Sequence, residues 1–164
     1  MRQESQWATD LFYLAFDVWR EGRGEPRAGK LAIAFSILDR VRNPKWWRST
    51  VATVVTAPKQ YSSMTFPGDP NLVLYPVDVG DGAVVWEECL EVANCALRGL
   101  APNPVPAADS YYAAWMDKKG GPPPWAKPSQ FVAQVGAHKF FNTDGSHPDN
   151  TPIPGWQDSG ADRG

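Results

Sequence analysis

Residues 19–41 read WREGRGEPRAGKLAIAFSILDRV, and this stretch decides the fold. Gly22 and Gly24 break one helix, and Pro26 suits the first turn of the next. From Pro26 to about Asn43, Leu31, Ala34, Phe35, Leu38 and Val41 recur at helical spacing, and Ile33 and Ile37 widen the stripe. A helix that is apolar over so much of its circumference is expected to be central and largely buried. Upstream, Trp7, Leu11, Leu14, Ala15 and Val18 predict an amphipathic helix over 5–21.

Downstream, residues 50–57 read as a short helix or strand stopped by Pro58. Residues 58–80 read as loop, broken by Pro67, Gly68, Pro70, Pro76 and Gly80. Asp81 is placed to cap a third helix, which runs to about Leu100. Past Pro102, Pro104 and Pro106 the texture changes. Residues 110–115 (SYYAAW) predict a strand, and 118–121 (KKGG) a turn. Residues 131–141 (FVAQVGAHKFF) predict a second strand with Gly136 as a bulge. The expected architecture is α+β: a mainly helical domain with a small β-hairpin lobe. Residues 1–141 form the expected catalytic domain. Residues 142–164 form an extended Pro/Gly-rich tail, pinned by Trp156.

The chain has 164 residues with 8 Trp, 16 Pro and 14 Gly. That length supports one domain with its own core, and the tryptophan content excludes a disordered chain. A net charge of -2 leaves no broad basic field for nucleic acid or an anionic membrane. The opening MRQESQWATD lacks the apolar run of a secretory signal. No segment approaches the ~20 apolar residues of a membrane span. Cys89 and Cys95 lie six apart in a helical pattern, on different faces, and read as small buried hydrophobes. Zinc held by Cys89, Cys95, His138 and His147 would need spacings unlike common sites. The P-loop, the nucleophile elbow, the H-E-x-x-H helix and the dinucleotide fingerprint are all missing. No cofactor and no metal is expected.

Glu21 stands out chemically. It follows Val18 by three residues and Leu14 by seven, so it leaves the first helix at the edge of the apolar stripe. A partly desolvated carboxyl there stays protonated toward neutral pH, as a general acid requires. The competing reading is a helix-end Glu paired with Arg20 or Arg23. Glu25, before Pro26, reads as a residue that favours the next helix N-terminus. Gln60 carries donors and an acceptor suited to sugar hydroxyls or to holding a turn. Tyr111, Tyr112, Trp115 and Trp125 serve either as sugar platforms or as core. His138 reads as a structural hydrogen-bonding residue.

The segments Trp19 to Pro26, Gly29 to Ala34 and Ile37 to Val41 together resemble the opening of the spore-cortex-lytic cell-wall hydrolase family (SleB/CwlJ type). That opening is an E-A-R-G-E run, a glycine, an apolar helix and L-N-R-V. Pro58-Lys59-Gln60-Tyr61-Ser62 is similar to the family's Q-F-S segment. Trp125-Ala126 and Val135 to Phe141 are similar to its W-A and I-G-x-H-x-F-Y ending. The blocks occur in family order over about residues 8–141. Gly22 stands in place of the usual Ala, Asp39 in place of Asn, and Ala113 where many members have Asn.

The resemblance implies a lysozyme/lytic-transglycosylase-like fold that cleaves peptidoglycan glycan strands; a monomer is expected. It implies Glu21 as the catalytic acid and a groove lined by Gln60, Ser62, Tyr111 and Tyr112. Trp125 joins them as a substrate-binding aromatic. Cleavage of the MurNAc–GlcNAc bond with one carboxylate gives a 1,6-anhydro product. A hydrolytic muramidase needs a second carboxylate, with Asp69, Asp78 and Asp81 as candidates. A non-catalytic glycan-binding or structural phage protein is the reading from another class. A wall amidase or endopeptidase is disfavoured without a metal-ligand set or Cys–His signature. The missing leader suggests a phage endolysin held in the host cytoplasm until release, and a virion-borne or prophage lysin is equally compatible.

Overall fold

A computed structural model describes residues 2–147. Five helices run in chain order: α1 (Arg2–Gly22), α2 (Arg27–Arg42), α3 (Val51–Val55), α4 (Ser62–Thr65) and α5 (Gly82–Arg98). Three strands follow the first four helices and α5: β1 (Ser110–Ala113), β2 (Phe131–Val135) and β3 (His138–Phe141). The domain is mainly helical with a small antiparallel sheet, the expected α+β class.

Helix α2 is the axis of the core. Every residue from Gly29 to Arg40 is buried, because α1, α3, α5 and the sheet all pack against it. Ile33, Ile37 and Leu38 are completely enclosed; burying each contributes about 1.5–3 kcal/mol. Leu14, Val18 and Trp19 of α1 meet them, with Val54 of α3, Val92 of α5 and Phe140 of β3. Two buried polar groups of α2 are satisfied locally. Lys30 Nζ donates to the Glu25 carbonyl at 2.5 Å, and Ser36 Oγ to the Ile33 carbonyl at 2.7 Å.

Several boundaries differ from expectation. The expected loop over 58–80 contains α4 and two 3-10 turns, Pro70–Val73 and Pro76–Asp78. Asp81 lies at the start of α5, but its side chain makes no capping bond. Cys89 is buried as expected, whereas Cys95 is half-exposed and donates to Glu91 at 3.2 Å.

The sheet is the main correction. The expected hairpin between 110–115 and a single strand over 131–141 is instead a three-stranded sheet of order β1-β3-β2. Gly136 is not a bulge. It sits at φ 57 in a tight turn that splits FVAQVGAHKFF into β2 and β3, and its left-handed backbone suits glycine. The irregularity lies earlier, between Phe131 and Ala133. Strand β1 then pairs with the far edge of β3, placing Tyr111 opposite Phe140 and Ala113 opposite His138.

Residues 142–147 are tied to the body. Asp109 accepts from the backbone N–H of Thr143 and Asp144 at 2.8 and 2.9 Å, and from Thr143 Oγ1 at 2.5 Å. Trp156 and the rest of the expected tail lie outside the described residues. Carboxylate oxygens of Asp39, Asp109 and Asp144 lie within 4.8 Å of one another. Burial pushes Asp39 up to about 7, with Asp144 and Asp109 adding to the shift. No described helix is long and apolar enough to cross a membrane.

Candidate active site

The last turn of α1, the segment before α4 and strand β1 converge on one cavity of about 520 Å³. Glu21, Gln60, Ser62, Tyr111, Tyr112 and Trp125 all line it.

Glu21 is half-buried at the cavity wall. Burial raises its carboxyl above the ordinary value, and nearby Asp69 adds to this; Ser63, through its side chain and its backbone, opposes it. Ser63 Oγ donates to Glu21 Oε1 at 2.7 Å. Neither expected arginine pairs with Glu21. The Arg20 guanidinium lies 3.9 Å from the centre of the Phe16 ring and donates to the carbonyls of Leu74 and Ser63. Arg23 lies over Trp19 at 4.9 Å. One turn before Glu21, Asp17 is completely buried. Neither of its carboxylate oxygens has a hydrogen-bond partner among the described residues. Burial pushes Asp17 well above the carboxylate range; Glu21 adds to this, and Arg40 and Arg20 act against it.

The opposite wall is organised by Arg40, which sequence reasoning did not single out. Its guanidinium donates to the Asp109 carbonyl at 2.5 Å, to Gln60 Oε1 at 3.0 Å and to Ser110 Oγ at 3.2 Å. Because Arg40 occupies the Gln60 carbonyl oxygen, Gln60 has its amide N–H groups as donors for a ligand. The signal for Arg40 was present: an arginine set between Leu38 and Val41 of the apolar stripe, where a buried guanidinium must be hydrogen-bonded.

Ser62 and Ser63 divide the work differently from expectation. Ser62 lines the cavity, but its hydroxyl donates to Asp69 at 2.6 Å; its neighbour Ser63 reaches Glu21. Asp69 also accepts the Asn71 N–H at 2.8 Å. Burial raises Asp69, but these bonds and Arg20 outweigh it and hold the carboxyl below the ordinary value. Asp78 accepts the Tyr75 N–H at 2.9 Å. Neither Asp69, Asp78 nor Asp81 lines the cavity.

The aromatic residues alternate between floor and rim. The Tyr111 ring meets His138 edge-on at 5.2 Å, and its hydroxyl is buried. Tyr112 stacks on Phe141 and donates to Asp117 at 2.8 Å. Trp125 sits edge-on to Tyr112 and is 39% exposed, and Trp115 is 60% exposed. Exposed indoles at a cavity rim are available for stacking on sugar faces.

Glu25 and His138 fasten the two halves together. Glu25 makes no side-chain cap on α2. Its carboxylate accepts the Ala137 N–H at 3.2 Å and lies 2.8 Å from His138 Nδ1. Glu25 thus links the α1–α2 junction to the β2–β3 turn while its carboxylate stays beside the first turn of α2. Burial lowers the His138 imidazole, against the pull of Glu25.

A family profile described as Cell Wall Hydrolase matches residues 24–141, which contain α2, the Gln60 segment and the whole sheet. The chain belongs to the cell wall hydrolase family. It is a peptidoglycan-degrading enzyme. Glu21 stands three residues ahead of the matched segment. No curated protein and no solved structure matches the chain significantly.

Proposed function

We propose that the enzyme is a lytic transglycosylase that cleaves the MurNAc–GlcNAc bond with Glu21 as its acid and base. One observation carries this reading. Glu21 is the only carboxylate among the described residues lining the cavity. A hydrolytic glycosidase ordinarily uses two carboxylates flanking the bond. A transglycosylase needs one.

The protonated Glu21 carboxyl gives its proton to the glycosidic oxygen, and the bond from that oxygen to C1 of the muramyl sugar breaks. The sugar passes through an oxocarbenium-like state. Its own C6 hydroxyl then attacks C1, and the hydroxyl proton passes to the Glu21 carboxylate. The product is a 1,6-anhydro sugar, no water is consumed, and Glu21 is again protonated. The raised proton affinity of Glu21 supports its role as the acid. Gln60 and Ser62 bind substrate polar groups, and Tyr111, Tyr112 and Trp125 bound the sugar-binding surface.

The test is mass spectrometry of purified peptidoglycan digested by the wild type and by Glu21→Gln. Anhydro-muramyl ends from the wild type and none from the variant are expected. Reducing muramyl ends would replace this mechanism with hydrolysis. Equal lysis by both proteins would remove Glu21 from the chemistry.

A further inference from the structure

A second cavity of about 460 Å³ lies beside the first. The two share Arg40, Lys59, Gln60, Tyr111 and Trp125, so they open side by side across the Gln60 segment. The second adds Lys45 and Trp46.

Its charge is one-sided. Arg40, Lys45 and Lys59 line it, and none forms an ion pair among the described residues. Arg40 donates only to neutral acceptors. Lys45 Nζ donates to the Asp144 backbone carbonyl at 3.1 Å and lies 5.7 Å from the centre of the Trp47 ring, both neutral partners. Lys59 is exposed, has no side-chain partner among the described residues, and is held at φ 64. A non-glycine residue there stores backbone strain, a mark of functional segments. The single carboxylate of the cavity, Asp144, has one oxygen bound to the Ser146 N–H and the other buried.

Trp46 gives the cavity an apolar face. It is 65% exposed at the tip of the Lys45–Arg48 turn. Its ring leans on Trp47, whose indole N–H is pinned at 3.1 Å by the carbonyls of Arg40 and Asn43. Trp46 therefore stands on a fixed base.

The chemistry of the substrate says what belongs here. Rested on the proposed glycan cleavage, the muramyl sugar lies in the first cavity with C1 at Glu21. The same sugar carries a lactyl ether on C3, to which the stem peptide is attached. The peptide must leave the cavity close to the bond being cut, and it is acidic, with free carboxylates on its glutamyl residue and its terminus. We propose that the second cavity receives this acidic stem peptide, with Lys45 and Lys59 pairing to its carboxylates and Trp46 packing against its chain. The enzyme thus distinguishes peptide-bearing from naked glycan, although its net charge is slightly negative.

The experiment compares soluble peptide-bearing glycan strands with the same strands stripped of peptide by an amidase. The readout is the ratio of cleavage rates on the two substrates. Loss of two exposed charge pairs in Lys45→Gln/Lys59→Gln is expected to lower that ratio about three- to tenfold, and Trp46→Ala is expected to lower it as well. In the wild type, added salt is expected to slow cleavage of peptide-bearing strands more than of naked ones. An unchanged ratio, or equal losses on both substrates, overturns the proposal; equal losses would make Trp46 one more sugar platform. If the wild type cleaves neither substrate, the glycan-cleavage reading fails by itself. Calorimetric binding of a disaccharide-peptide and of the peptide-free disaccharide to Glu21→Gln then still decides the stem site. Preference for the peptide-bearing ligand, lost in the lysine variant, supports it, and equal binding overturns it.

Discussion

Ser63 donates its hydroxyl to Glu21 across 2.7 Å, joining α4 to the last turn of α1. A hydrogen bond to a carboxylate favours its charged form. Ser63 therefore holds down a carboxyl that burial holds up. In Ser63→Ala the carboxyl keeps its proton to higher pH. A general acid loses activity as pH rises through its pKa, so the alkaline limb of the kcat profile is expected to move upward. The lost orientation of Glu21 should cost about three- to tenfold at the optimum. A limb that stays put or moves down would contradict this account.

Arg40 holds three acceptors with one planar group, which lysine cannot reproduce. Arg40→Lys is expected to lower stability by about 2–3 kcal/mol and to reduce glycan cleavage more than Gln60→Ala does. The second comparison is informative because Gln60→Ala removes the positioned side chain alone. Denaturant unfolding and cleavage rates of the two variants check both statements.

Asp39 makes stability depend on pH. Its carboxyl moves from an ordinary 3.8 to about 7 in the folded chain. The folded state therefore holds this proton longer than the unfolded state, and the group's contribution is fully favourable only below about pH 4. It is lost as pH climbs toward 7. Asp39→Asn abolishes the titration. The variant should be more stable than wild type at pH 7 by on the order of 2 kcal/mol, or several degrees in Tm, with the gap closing near pH 4. Thermal melts at the two pH values test the sign directly.

Gly136 and Gly24 offer a matched pair. A Cβ at Gly136 would sit 2.1 Å from Glu25 Oε2, at a backbone φ of 57. Gly136→Ala should cost about 2–4 kcal/mol through strain and the broken Glu25 link. A Cβ at Gly24 meets nothing within 4 Å, so Gly24→Ala should change stability by less than about 0.5 kcal/mol. Similar losses in both would show that the contact is unimportant.

The helical half was legible because its signals are local. The unbroken apolar content of α2 announced a buried axis, and Glu21 stood at the edge of the α1 stripe. The sheet was less legible. Gly136 reads as a bulge or as a turn with equal ease along the chain, and only the pairing of β1 with β3 decides. Ser62 and Ser63 are chemically identical neighbours, so which one reaches Glu21 depends on how α4 is oriented. Glu25 could be read only as a helix-terminus residue because its hydrogen-bond partner, the β2–β3 turn, lies about 110 residues away.

The Glu25 contact also has a mechanical meaning. Its carboxylate joins the start of α2 to the tip of the sheet, while Asp109 ties the strap after β3 to the start of β1. The sheet is thus tied to its surroundings at both of its ends, by Glu25 at the β2–β3 turn and by Asp109 beside β1. On the proposed glycan cleavage, a cleft held in this way needs little reorganisation to accept a strand. Changing residue 25 or 136 would loosen one of these ties and so add to that reorganisation.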